Sequence, residues 1–263
     1  MPVQSPQSEQ QIARMFDRIA PRYDLLNRLL SAKQDQRWRQ HLVQKIPPKP
    51  QGRHLDVATG TGDVIEAMRA AHPEYDAMVG IDISEKMLDV ARQKIKSVPR
   101  GAETSAPGIS LAGQSPTVEW RMMSAERLHF QDRSFDSLSI AFGLRNVVNR
   151  PEALREFYRV LRPGGMLCVL EFFPPQSGLF SVLFQFYFHQ ILPLVGGLIS
   201  DRQAYRYLPQ SVGSFYTMDT FRDVLEKNGF HLKEVKNYLF GSCRLVVATR
   251  GEKKAEEPWT LSP

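Results

Sequence analysis

The run Leu55-Asp56-Val57-Ala58-Thr59-Gly60-Thr61-Gly62-Asp63 limits what this chain can fold into more than any other stretch. Apolar residues suited to a buried strand lead into a glycine pair, and a helix-compatible segment from Asp63 to Ala71 follows. Strand, tight turn and helix in that order open an α/β sheet, and such sheets bind ligands off the carboxyl ends of their strands. Gly60 and Gly62 let the backbone turn sharply and come close to a ligand. A glycine-rich loop is also compatible with any tight strand-to-helix turn.

The pattern after this run repeats the alternation. Ala77–Ile81 reads as a second strand, and Ser84 caps a helix running to about Lys96. Val118–Met122 and Ser137–Phe142 read as strands three and four. Glu152–Leu161 reads as a helix closed by Arg162-Pro163-Gly164-Gly165, and Met166–Phe172 is an almost wholly apolar fifth strand suited to the centre of a parallel sheet. Thr217–Asn228 is a helix with Gly229 as its stop, and His231–Tyr238 with Ser242–Thr249 make a hairpin around Phe240-Gly241. The expected fold is a doubly wound, mostly parallel seven-stranded α/β sheet closed by a C-terminal antiparallel hairpin. Helices from Gln10 to Lys45 precede strand one, with Ile12, Met15, Phe16 and Ile19 at helical spacing, and Pro47-Pro48-Lys49-Pro50 ends them. One domain is expected over residues 1–250, with 1–50 as a helical cap and 173–216 as an apolar helical insertion after strand five. Residues 99–116 read as a surface loop rich in Gly, Ser, Ala and Pro, and 251–263 as a loose tail.

The bulk numbers narrow the setting. Lysine plus arginine is 34 against 28 acidic residues, a net charge of +6. The basic residues are scattered, so nothing points to nucleic acid. Cys168 and Cys243 each sit inside apolar strands and read as small buried hydrophobes rather than a disulfide, a metal site or a nucleophile. No His/Cys cluster suggests a metal. The polar start from Met1 to Gln11 lacks the apolar core of a secretory leader, so a cytoplasmic setting is expected. Leu179–Ile199 is long enough for a membrane span, but Gln185, His189, Gln190 and Pro193 interrupt it. It reads as a helix lining a greasy pocket or touching the inner face of a membrane.

The acids separate two readings of the glycine loop. Asp56 ends the first strand, where a carboxylate would repel a dinucleotide's pyrophosphate but would attract the ammonium of a methionyl group. Ala58 also replaces the first glycine of dinucleotide fingerprints. Asp82, at the end of strand two, is placed for both hydroxyls of a ribose, a feature shared with NAD proteins. Met123-Ser124-Ala125-Glu126 follows strand three and could read an adenine edge. An NAD oxidoreductase remains the competing reading, weakened by Asp56 and by the lack of a Tyr-x-x-x-Lys pair.

These residues match class I, Rossmann-like methyltransferases, and further motifs narrow the match. Phe16-Asp17-Arg18-Ile19-Ala20-Pro21-Arg22-Tyr23-Asp24-Leu25-Leu26-Asn27 and Phe142-Gly143-Leu144-Arg145-Asn146-Val147 closely resemble the ubiquinone/menaquinone biosynthesis C-methyltransferase family. So do Arg159–Gly165 with Leu170-Glu171-Phe172, and Tyr205–Ser211; the likeness runs from Gln10 to Arg250. The resemblance implies methyl transfer from S-adenosylmethionine to a ring carbon of a polyprenylated quinol, either demethylmenaquinol or the ubiquinone precursor, with another small-molecule methyltransferase as the alternative. It implies cofactor contacts at Thr61, Asp82, Ser124 and Ala125, joining Asp56, Gly60 and Gly62 from the loop itself. Some members carry serine where this chain has Ala141, which favours menaquinone.

A ring carbon becomes nucleophilic when a neighbouring phenol, pKa ~10, loses its proton. Arg145 is the first candidate to stabilise that phenolate, with a structural salt bridge as its competing role. Tyr23 is the second, with plain packing as the alternative, and His189 a third candidate as base. Phe180, Phe184, Phe186, Tyr187 and Phe188 could wrap an isoprenoid tail or form a lid core or homodimer interface.

Overall fold

In the computed structural model of the chain, residues 8–95, 116–174 and 202–252 are described. Most of the expected 99–116 loop, the 179–199 stretch with His189 and its aromatic residues, and the tail from residue 253 lie outside them. Among the described residues no helix is long and apolar enough to cross a membrane.

The cap begins with α1 (Glu9–Ile19), where Ser8 and Gln11 form a reciprocal capping box. Ile12, Met15 and Ile19 fall on one buried face. Pro21 turns the chain through a short 3-10 segment into α2 (Tyr23–Leu30). Ala32 and Lys33, both left-handed, turn it again into α3 (Gln34–Lys45).

The sheet comprises β1 (Arg53–Val57), β2 (Ala77–Asp82), β3 (Thr117–Met122), β4 (Phe135–Ala141), β5 (Leu161–Phe172), β6 (Phe230–Tyr238) and β7 (Cys243–Arg250). Their spatial order is β3-β2-β1-β4-β5-β7-β6, with β7 antiparallel to both its neighbours. The seven expected strands are all present, and the hairpin closes the sheet as expected. Strand five starts earlier than the apolar run suggests. Leu161 already pairs with Phe135, and the register then shifts so that Met166 meets Ser137. The intervening Pro-Gly-Gly bends rather than ends the strand, with Gly164 left-handed.

Period-two alternation divides the core between the sheet's faces. On one face Leu55, Val57, Leu138, Ile140, Leu167 and Val169 pack with Leu154 and Phe157 of α6 (Arg150–Val160). Phe221 and Leu225 of a later helix (Met218–Lys227) join them. On the other face Cys168, Leu170, Leu245 and Val247 pack with Trp38 and Leu42 of α3 and Ile65 and Met68 of α4 (Asp63–Ala71). Both cysteines are buried, free and apolar in their surroundings. The chain's path reverses between β1 and β4, so a crevice opens where those strand tips diverge.

Candidate active site

The tip of β1 is built from three left-handed residues. Ala58, Gly60 and Gly62 have φ of 50°, 57° and 83°. The two glycines do different work. A side chain at Gly60 would meet only Tyr23, 3.9 Å away, so the loop faces open space there. A side chain at Gly62 would lie 2.8 Å from Trp120, which also fills the space over Gly80. Gly60 therefore leaves the loop bare, whereas Gly62 makes room for the neighbouring tryptophan. Ala58 packs on Gly143, where an added Cβ would come within 2.4 Å of it. Phe142, beside Gly143, is left-handed as well, and its ring lies between Trp38 and Phe172. Non-glycine residues in this conformation are strained and persist only where packing holds them.

Two carboxylates flank the loop. Asp56 is 1% exposed and accepts hydrogen bonds from the hydroxyls of Ser139 (2.5 Å) and Thr59 (2.6 Å). Burial pushes its carboxyl up to about 7, against the pull of those hydroxyls and of Arg39. Asp82 accepts from the backbone N–H of Gly60 and of Ser84, each at 2.9 Å, and burial raises it to about 6. It thereby ties the end of β2 to the first loop. Ser84 caps α5 (Glu85–Lys94), as its place in the sequence suggests.

Two hollows meet over this loop. The larger, an open cleft of about 650 Å³, is walled by Asp82, Ser124, Ala125, Phe16 and Asn146 among others. The smaller, about 290 Å³, is walled by Asp56, Thr59, Thr61, Asp63 and Arg39. Tyr23, Ala58, Gly60 and Ala141 border both. Of the residues singled out in the sequence, Asp56, Gly60, Thr61, Asp82, Ser124, Ala125 and Tyr23 thus converge. Gly62 and Arg145 line neither hollow.

Arg145 is buried beneath the cleft. Its guanidinium donates to Glu171 (2.7 Å), to the Phe142 carbonyl (2.6 Å) and to Ser211 (3.3 Å). Its backbone N–H also donates to Glu171, at 3.1 Å. The structural salt bridge weighed in the sequence is therefore present, with Glu171 wholly buried as its partner. The adjacent Asn146 does reach the cleft, and its Oδ1 is buried without a hydrogen-bond partner. Burial holds the Tyr23 phenol above 10, with Arg39, Asn27 and Arg145 opposing it.

The cap grips both loops. Asp17 accepts from the Ser84 hydroxyl at 2.6 Å, and Asp24 accepts from the Thr61 hydroxyl at 2.5 Å. Lys94 bridges Asp24 and Asp63, at 2.9 and 2.5 Å. Arg39 donates to Asp35 at 2.7 Å and lies 3.9 Å from Asp63. Asp17 and Asp24 stood inside the conspicuous opening motif, but nothing in one dimension shows what they hold. Arg39 carried no signal beyond charge, and Asp63 stood at the end of the glycine run with no role read for it.

The strand order, the reversed crevice and the paired acids define a class I methyltransferase fold, whose cofactor is S-adenosylmethionine. A solved S-adenosylmethionine-dependent methyltransferase from Aquifex aeolicus superposes with a TM-score of 0.53 at 15% identity, covering 94% of this chain and 98% of that one. The chain belongs to the ubiE/COQ5 methyltransferase family, whose profile matches residues 4–250. One relative, from Geotalea daltonii, is named ubiquinone/menaquinone biosynthesis C-methyltransferase UbiE. It is 44% identical over 246 residues, covering 93% of this chain and 97% of its own. Another, from Thermus thermophilus, is named demethylmenaquinone methyltransferase and is 43% identical, over 90% of this chain and 100% of its own.

Proposed function

We propose that this protein methylates a ring carbon of a polyprenylated quinol, with demethylmenaquinol as the acceptor. The observation that carries the reading is the pair of acid-walled hollows joined at Tyr23, in a chain that shares over 40% identity with quinol methyltransferases. The residues suit the cofactor. Asp56 matches its ammonium, and Arg39, on the same wall, its carboxylate. Asp82 matches the ribose, with Ser124 and Ala125 against the adenine. Gly60 leaves the loop bare beneath it. Thr61 contributes through the position Asp24 gives it. When bound, the cofactor supplies an electrophilic methyl group.

The chain's own work is to hold the acceptor as a phenolate. Arg145, clamped by Glu171, gives a fixed positive potential under the cleft. Three of its five N–H donors are held by protein, and a guanidinium does not lose its proton, so it acts as a cation and not as a base. Tyr23 covers the same space from above, and Asn146 Oδ1 is free to accept an acceptor hydroxyl. Ala141 leaves that wall without a hydroxyl, which fits a fused-ring quinol. A membrane-borne tail also calls for contact with the inner membrane face. Leu25 and Leu29, one helical turn apart and 61% and 57% exposed, offer an apolar foot for it.

Purified protein, methyl-labelled cofactor and short-tailed quinols test the proposal. Label is expected in the naphthoquinol ring and not in the methoxybenzoquinol; label in neither ring overturns it. Arg145→Ala is expected to lower kcat by about 10²-fold or more, with S-adenosylhomocysteine affinity nearly unchanged in calorimetry.

A further inference from the structure

A line of buried polar groups runs beneath the smaller hollow, on the α3/α4 face of the sheet. Parallel pairing sets His54 opposite Ser137 and Asp56 opposite Ser139. Alternation then puts all four side chains on the same face. His54 is wholly buried; its Nδ1 lies 2.9 Å from Ser137 Oγ and its Nε2 2.9 Å from Ser139 Oγ. Ser139 Oγ is in turn 2.5 Å from Asp56 Oδ1. Below, the Tyr75 hydroxyl donates to the Pro47 carbonyl at 3.0 Å and lies 3.5 Å from Ser137.

With Asp56 ionised, the chemistry of donors and acceptors fixes where each proton sits. A carboxylate only accepts, so Ser139 gives its one proton to Asp56. Ser139 must then accept from His54, which places a proton on Nε2. His54 stays neutral, because burial drives its pKa down to about 3, with His72 adding to the fall. Its Nδ1 is therefore bare and takes the Ser137 proton. Every bond in the line points at Asp56. A proton on Asp56 Oδ1 would need the opposite order, with Ser139 as acceptor from Asp56 and His54 protonated on Nδ1.

We infer that His54 is a positioning residue: through Ser139 it holds Asp56 as a proton-free acceptor for the cofactor's ammonium. The inference rests on the proposed role of Asp56 and deepens it. The other groups facing Asp56 are Arg39, Asp63 and Tyr23 across the hollow and Asp82 from β2, with Thr59 on its second oxygen. Those near His54 are His72 and, through Ser137, Tyr75.

Calorimetric titration of S-adenosylhomocysteine between pH 6 and 8.5 tests the inference. The intact protein is expected to lose affinity as pH falls through about 7, where Asp56 takes up a proton. Ser139→Ala and His54→Leu are expected to move that midpoint up by about one pH unit. They then bind ~5-fold more weakly at pH 7 and come close to the intact protein at pH 8.5. His54→Gln, which keeps a donor towards Ser139, is expected to restore the midpoint. A uniform loss with an unmoved midpoint would mean simple packing and overturn the inference. Because His54→Leu removes a buried ring, nitrogen NMR of the intact protein gives a second reading. Nε2 protonated and Nδ1 bare at pH 8 to 9, where Asp56 is ionised, supports the line; a proton on Nδ1 there, or a doubly protonated ring anywhere from pH 5 to 9, overturns it. Asp56→Asn serves as the control. If it binds as tightly as the intact protein at every pH, the role of Asp56 itself fails, independently of His54.

Discussion

For Asp56 the demand of stability runs against the binding role proposed for it. Both it and Asp82 hold protons more tightly in the folded chain than the ordinary 3.8 of the unfolded one. Their contribution to stability is intact below about 4 and declines as pH rises through 6 and 7. Asp56→Asn removes that decline. The variant is expected to melt higher than the intact protein at pH 8 without ligand, by something on the order of 1 kcal/mol, with the gain vanishing near pH 4. Calorimetry of the same variant is expected to show weakened S-adenosylhomocysteine binding. Equal melting at pH 8 would show that Asp56 is not forced to ionise against its surroundings. At this scale the sequence was partly legible. Asp56 and Asp82 stood at strand ends, and the βα pattern located them. Arg145 could not be resolved from sequence, because it sits in the turn after β4 while its partner Glu171 lies on β5, and only the fold brings them to 2.7 Å. Asn146, Arg39 and His54 were missed for a like reason: the first two matter as parts of a cavity wall, and the serines that His54 meets stand 83 and 85 positions away.

At the scale of elements, the alternation of strands and helices gave the sheet, since burial on both faces leaves near-continuous apolar runs. What it could not give was the close approach of β2, β3 and the first loop. Trp120 on β3 lies flat in the space that Gly80 and Gly62 leave, and a Cβ at Gly80 would meet it at 2.5 Å. Gly80→Ala is expected to destabilise by roughly 1–3 kcal/mol in denaturant unfolding, through overpacking alone. Trp120→Phe combined with it is expected to recover part of the loss, because a smaller ring vacates the site. The cap is similarly specific. Asp24 joins Thr61 and Lys94, so Asp24→Asn weakens the hold of α2 on the first loop. Limited proteolysis is expected to cut near Ala32 and Lys33 faster in this variant, and added S-adenosylhomocysteine to slow the cutting. Unchanged cutting would mean that the cap is held by its apolar contacts through Met15, Ile19 and Leu26.

Across the whole molecule, the two hollows gather contributions from the cap, the tips of β1, β2 and β4, and the loop after β3. A ligand there joins parts distant in sequence and stabilises all of them together. S-adenosylhomocysteine at a hundred times its Kd is expected to add about 2.7 kcal/mol, read as a rise in Tm, while NAD at the same concentration adds nothing. The strained corners at Ala58 and Phe142 lie side by side where the sheet's path reverses, and each is kept bent only by what leans on it. Such corners relax with modest warming, well before the apolar layers give way. Heat will therefore silence this molecule before it melts it: ligand uptake fades over a span of degrees in which the circular dichroism of the sheet has not begun to change.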